Sequence, residues 1–94
     1  MRVRWTTPAR DELVAAYEYV AEDDRLAAAR IAERIWESTQ LLGKHPRAGR
    51  AGRVQGTREL VVSGTPFIVA YSIEKTAVRV LAVLHGARKW PDEF

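Results

Sequence analysis

Ala77-Val-Arg-Val-Leu-Ala-Val-Leu-His85 is the stretch on which the fold turns. Residues 77–84 alternate or run apolar, as a buried strand does. Alternation places Val78, Val80, Ala82 and Leu84 on one face, and Arg79, Leu81, Val83 and His85 on the other. The strand stops at different chemistry: His85, Gly86, Arg88, Lys89 and Trp90. A rigid element thus carries an imidazole, a guanidinium, an ammonium and an indole to its end.

Working back from this strand, Phe67–Ile73 and Arg58–Ser63 read as two more, joined by the short turns 74–76 and 64–66. Lys44–Gly56 has no periodicity and holds Pro46, Gly49, Gly52 and Gly56, so it reads as a loop. Before it, Ala28, Ile31, Ala32, Ile35, Thr39 and Leu42 recur at helical spacing after Asp23 or Asp24 as cap, with Gly43 as the stop. An earlier helix carries Ala9, Leu13, Ala16, Tyr17 and Val20, with Thr7 as cap and Pro8 at the first helical position. The short polar link between the helices folds them into an antiparallel hairpin. Val3 and Trp5 alternate with Arg2 and Arg4 as a short first strand. The order β-α-α-β-β-β predicts an α+β fold: an N-terminal strand, a helical hairpin, then a three-stranded antiparallel meander.

Ninety-four residues are expected to form one domain, 1–94. A chain of this size buries about 60–68% of its unfolded surface, so a partner that covers more of it stabilises it. With no cysteine, disulfides, thiolate metal sites and thiol nucleophiles are excluded. Met1–Thr6 has no apolar signal-peptide core, and no apolar run reaches the roughly 18–20 residues of a membrane helix. The expectation is a soluble cytoplasmic protein without membrane contact. There is no glycine-rich phosphate loop and no metal-ligand spacing, so no cofactor and no metal are expected.

The net charge is +3, unevenly spread. Lys44, Arg47, Arg50, Arg53 and Arg58 follow one another with no acid between them, whereas Asp11, Glu12, Glu18, Glu22, Asp23 and Asp24 lie in the helical half. The basic run either holds a phosphate backbone or is a solvated loop. His85 and Arg88 form a suggestive pair: an imidazole titrating near neutrality can take a 2′-hydroxyl proton, and a guanidinium can steady a phosphate. The alternative is a histidine that ends a strand half-buried and hydrogen-bonded. Trp36 covers the edge of the second helix as core or as partner contact, with Leu41 beside it. Trp90 is a lid on the sheet or an exposed anchor. Tyr17 and Tyr71 fall on core faces and read as packing residues.

Several segments carry a resemblance over essentially the whole chain. Trp5-Thr-Thr-Pro-Ala-Arg-Asp-Glu-Leu13, His45-Pro-Arg-Ala-Gly49, Thr57-Arg-Glu-Leu60, Phe67-Ile-Val-Ala-Tyr71 and Val80-Leu-Ala-Val-Leu-His-Gly-Ala-Arg88 together resemble the RelE/ParE toxins of type II toxin–antitoxin systems, in order and spacing. The resemblance implies a growth-inhibiting toxin of the kind linked to plasmid stabilisation, neutralised by a cognate antitoxin. RelE-like members cut messenger RNA on the ribosome; ParE-like members poison DNA gyrase without nuclease activity. RelE-like toxins usually carry an arginine three residues before the strand tyrosine, where this chain has Ile68 before Tyr71, and an additional Tyr or His near the end, where it has Trp90. The departure favours the ParE-like reading: a gyrase poison, with a ribosome-dependent endoribonuclease using Arg88 and His85 as the alternative. Target contact is then expected from Arg88, Lys89, Trp90, Arg47, Arg50, Arg53 and Arg58. Antitoxin contact is expected at Trp36 and Leu41, from an acidic partner.

Overall fold

A computed structural model describes residues 1–94. The elements follow the order β1 (Arg2–Trp5), α1 (Thr7–Ala21), α2 (Arg25–Leu41), β2 (Arg50–Ala51), β3 (Arg58–Val61), β4 (Phe67–Ile73) and β5 (Ala77–His85). The α1 cap is Thr6, not Thr7: its Oγ1 accepts the Ala9 N–H at 3.2 Å. Thr6 is still extended, so the chain passes directly from strand to cap, and Pro8 falls at the second helical position. For α2 the cap is Asp24, which accepts the Ala27 N–H at 3.1 Å. No helix is long and apolar enough to cross a membrane.

The sheet has five strands in the order β1-β5-β4-β3-β2, with β1 parallel to β5 and the other pairs antiparallel. The chain's first strand therefore lies against its last. The segment expected to be wholly loop contains β2, two residues paired with Arg58 and Glu59 and too short to show periodicity. β3 ends at Val61 rather than Ser63, because Val62 O leaves the ladder to accept the Thr65 N–H at 3.1 Å in the tight turn that holds Gly64, whose φ is 77°.

One residue corrects the reading of β5. Ala70 pairs with Ala82, but Tyr71 pairs with Val80, so Leu81 is the extra residue of a bulge. The bulge inverts the alternation. Val83 joins Val78 and Val80 on the face under the helices, and Ala82 and Leu84 lie on the opposite face with Ala70. Thr6 fixes the irregularity, donating its N–H to Val80 O at 3.1 Å and its hydroxyl to Leu81 O at 3.3 Å.

The main core is Ala9, Ala16 and Ile35 from the helices against Val62, Phe67, Val69, Val80 and Val83. Tyr71 is fully buried, as a packing residue should be. It also ties down the preceding loop: its hydroxyl donates to Pro46 O at 2.7 Å and accepts the Gly49 N–H at 2.8 Å. Tyr17, expected in the core, is exposed at the margin of the α1 stripe.

Candidate functional site

The bulge decides where the end of β5 points. Past it, Val83 pairs with Val69 and His85 with Phe67, so both side chains turn to the helix side of the sheet. The His85 ring meets Phe67 edge-on at 5.8 Å, and its Nδ1 accepts the Ala87 N–H at 3.1 Å. His85 is exposed, not half-buried. Gly86 N–H donates to Pro66 O at 2.9 Å and Arg88 N–H to His85 O at 3.0 Å, which closes a tight turn. Left-handed backbone occurs only at Gly56 and Gly64, so this turn forms without it at Gly86.

The turn brings His85 and Arg88 into one cavity of about 350 Å³, lined also by Glu12, Ala16, Tyr19, Phe67 and Val83. Glu12 and Tyr19 were not singled out from the sequence. Glu12 was legible there: it lies three residues after Ala9 and four before Ala16, an acid inside the buried stripe of α1. β1 covers β5 only as far as Val80, and beyond that Glu12 Oε1 accepts the Val83 N–H at 3.0 Å. Burial pushes the Glu12 carboxyl above its ordinary range, and the Val83 hydrogen bond and the Arg88 charge offset this in part.

The remaining cations are not gathered into one free patch. Glu59, one residue past the run, is 2% exposed and accepts from Arg50 Nη2 at 3.1 Å and from Arg53 N, Nε and Nη2 at 2.7, 3.0 and 3.2 Å. Burial pushes the Glu59 carboxyl up, but these hydrogen bonds, with the Arg53 side chain foremost, outweigh it and hold the group below its ordinary range. Arg58 Nη1 turns inward to Gly49 O at 2.6 Å. Lys44, Arg47 and Lys89 are exposed. The Arg53 guanidinium lies 3.7 Å over the Trp90 ring, and Trp90 packs on Ala70, Ala82 and Leu84 with its Nε1 buried and unpartnered. Trp90 is thus a lid on the face of the sheet away from the helices. Ile68 is buried on that same face, outside the cavity.

Trp36 and Leu41 are 49% and 58% exposed and lie in different grooves. Trp36 stacks on Trp5 at 5.8 Å, next to Val3, Leu13 and Val14. Leu41 borders a groove between α2 and β3 with Leu60, Val61 and Arg34. No three His, Asp or Glu side chains stand close enough together to hold a metal ion.

A family described as the ParE toxin of type II toxin–antitoxin systems matches residues 3–90. The chain is 40% identical over 90 residues to "Putative toxin Y4kP" of Sinorhizobium fredii, covering 96% of this chain and 93% of that one. It is 32% identical over 87 residues to "Toxin RelE2" of Caulobacter vibrioides, covering 93% and 97%. Among solved structures, the chromosomal ParDE system of P. aeruginosa superposes with a TM-score of 0.80 at 26% identity, over 90% of this chain and 95% of that one. A YoeB/ParE toxin from Agrobacterium tumefaciens shares the fold, with a TM-score of 0.62 at 19% identity over 90% and 98%.

Proposed function

The chain belongs to the ParE toxin family and is a toxin of a type II toxin–antitoxin system, and we propose that it inhibits growth by binding and poisoning DNA gyrase. The observation that carries this reading is the end of β5, where a bulge and a tight turn present Arg88 and Lys89 on a rigid base. Arg88 makes no ion pair and no side-chain hydrogen bond within the chain, so its charge is available to a partner. Target contact is assigned to Arg88, Lys89 and Arg47. Arg50, Arg53, Arg58 and Trp90 act by shaping the surface around them.

An acidic antitoxin is the neutralising partner, laid across the grooves at Trp36 and Leu41. An interface of about 1,600 Å² would cover both, and opposite charge would speed its capture.

One observation favours a second reading, a ribosome-dependent endoribonuclease: His85 and Arg88 share a cavity, a candidate base beside a candidate phosphate ligand. Against it, Arg88 is the only arginine lining that cavity, with Ile68 buried on the other face. Supercoiling and DNA-cleavage assays with purified gyrase should show inhibition by the wild type and at least about a tenfold loss for Arg88→Ala, the effect of one charge-assisted contact. Mapping of messenger RNA after induction should show no codon-position-specific cuts. Such cuts, lost in His85→Gln, with gyrase unaffected, would replace the proposal by the nuclease. Deleting residues 89–94 is a poor test, because it strips Trp90 from the sheet and perturbs the fold itself.

A further inference from the structure

We infer that Glu12 is a positioning residue of the C-terminal site, its negative charge drawing the otherwise untethered Arg88 guanidinium over the cavity at the end of β5. The inference rests on the proposed role of Arg88 and concerns what sets that arginine in place.

Two tasks fall on the Glu12 side chain. One is to accept the Val83 N–H where β1 no longer covers β5. An unpaired backbone donor there would be costly, so an acceptor is needed. A glutamine of the same length supplies that acceptor without a charge. The charge itself opposes folding, since burial disfavours the ionised form of Glu12. A raised carboxyl contributes stability at low pH that is lost as pH rises through its folded-state value. At neutral pH the carboxylate is therefore a stability cost that the hydrogen bond to Val83 does not require.

The use of that charge is read from its surroundings. From α1, Asp11 repels it and Tyr19 borders the same cavity. From β5, His85 lines the cavity. From the tail, Arg88 attracts it, and Lys89 lines the adjoining cleft with Pro8, Leu84 and Phe94. Glu12 and Arg88 line both spaces together. Arg88 has no ion pair or side-chain hydrogen bond of its own, and Glu12 is the one acid that lines both spaces with it, so the field that biases the guanidinium is that of Glu12. A flexible guanidinium so biased loses less conformational freedom when a partner takes it.

Glu12→Gln separates the tasks, since it keeps the acceptor and removes the charge. In the full-length protein it should leave the melting temperature unchanged or raised at pH 7, yet reduce growth inhibition about tenfold, a loss the size of one charge-assisted contact. Stability and potency would then move in different directions, which a merely structural residue does not produce. By NMR, the Arg88 Nε–H should be ordered at neutral pH in the wild type and lose order as pH falls through the Glu12 titration, in a His85→Gln background as well. In Glu12→Gln it should be disordered throughout. Full potency in Glu12→Gln beside an inactive Arg88→Ala would overturn the inference alone; a gain in potency would do the same, showing that Glu12 sequesters Arg88. A marked fall in melting temperature would make the charge structural and also overturn it. A fully potent Arg88→Ala would remove the underlying reading and the inference with it.

Discussion

Replacing Glu59 by glutamine tests whether the basic run is a free binding patch or part of the scaffold. Glu59 is buried to 2% exposure and receives four hydrogen bonds, three of them from Arg53. The amide keeps the volume and one acceptor oxygen but turns an NH₂ donor towards guanidinium donors. Each charged hydrogen bond that becomes neutral or breaks costs about 1 kcal/mol. The arginine side chains are 57% and 43% exposed, so water recovers part of what they lose. A net cost of about 2 kcal/mol follows, equivalent to a fall of about 10 °C in melting temperature for a domain of this size. The measurement is thermal unfolding by circular dichroism, at pH 7 and at acid pH. The Glu59 carboxyl is held below its ordinary range, so its contribution is present above that range and lost as pH falls through its lowered value. The gap between wild type and Glu59→Gln should therefore close in acid. Arg53→Ala should destabilise more than Arg50→Ala, because Arg53 also stacks on Trp90. A variant melting within about 3 °C of wild type at pH 7 would represent under 1 kcal/mol. It would refute the clamp and return Arg50 and Arg53 to the pool of free cations.

Tyr71→Phe should cost about 2–6 kcal/mol by urea unfolding, because it leaves Pro46 O and the Gly49 N–H without their partner, at about 1–3 kcal/mol each. Gly49→Ala should be at least as damaging and should perturb the Tyr71 environment by NMR, since an added Cβ would stand 2.6 Å from the Tyr71 hydroxyl and 2.7 Å from Glu59 O. Trp36→Ala and Leu41→Glu should each weaken antitoxin binding at least about tenfold by calorimetry, and weaken it much more than they destabilise the free toxin, because about half of each residue is exposed. As they lie in separate grooves, their effects on binding free energy should add.

The helices were legible because each buries a stripe that recurs at helical spacing over several turns, and β4 and β5 because each is a long apolar run. What was not legible is instructive in its causes. β2 spans Arg50–Ala51 and has too few residues to express any period; it exists because β3 offers an edge and Gly49 lets the chain approach Tyr71. The cap moved from Thr7 to Thr6 because both are threonine and only the tertiary hydrogen bonds to Val80 and Leu81 distinguish them. The parallel pairing of β1 with β5 joins the ends of the chain, and local pattern holds no information about it.

The site shows the same limit in sharper form. Alternation fixes the face of a side chain only while the pleat stays in phase, and Val80-Leu-Ala-Val-Leu84 is apolar throughout, so nothing in it marks a slip. The bulge at Leu81 falls inside that run, and one extra residue carries Val83 and His85 from the face of Arg79 to the face of Val80. His85 and Arg88 meet Glu12 only because of it. Charge was misread for a related reason. A run of cations without acids looks free when counted along the chain, but Glu59 follows Arg58 and faces away from the helices, with Ala70 across from it. Arg50 and Arg53 fold over it there and spend their charge on it while staying partly exposed, leaving Lys44, Arg47, Arg88 and Lys89 as the cations of the loop and the tail with neither an ion pair nor a side-chain hydrogen bond. A partner that recognises positive charge therefore meets fewer cations than the composition offers. The most rigidly based of these is Arg88, three residues past a strand that is hydrogen-bonded on one edge by β4 and closed on the other by Thr6 and Glu12.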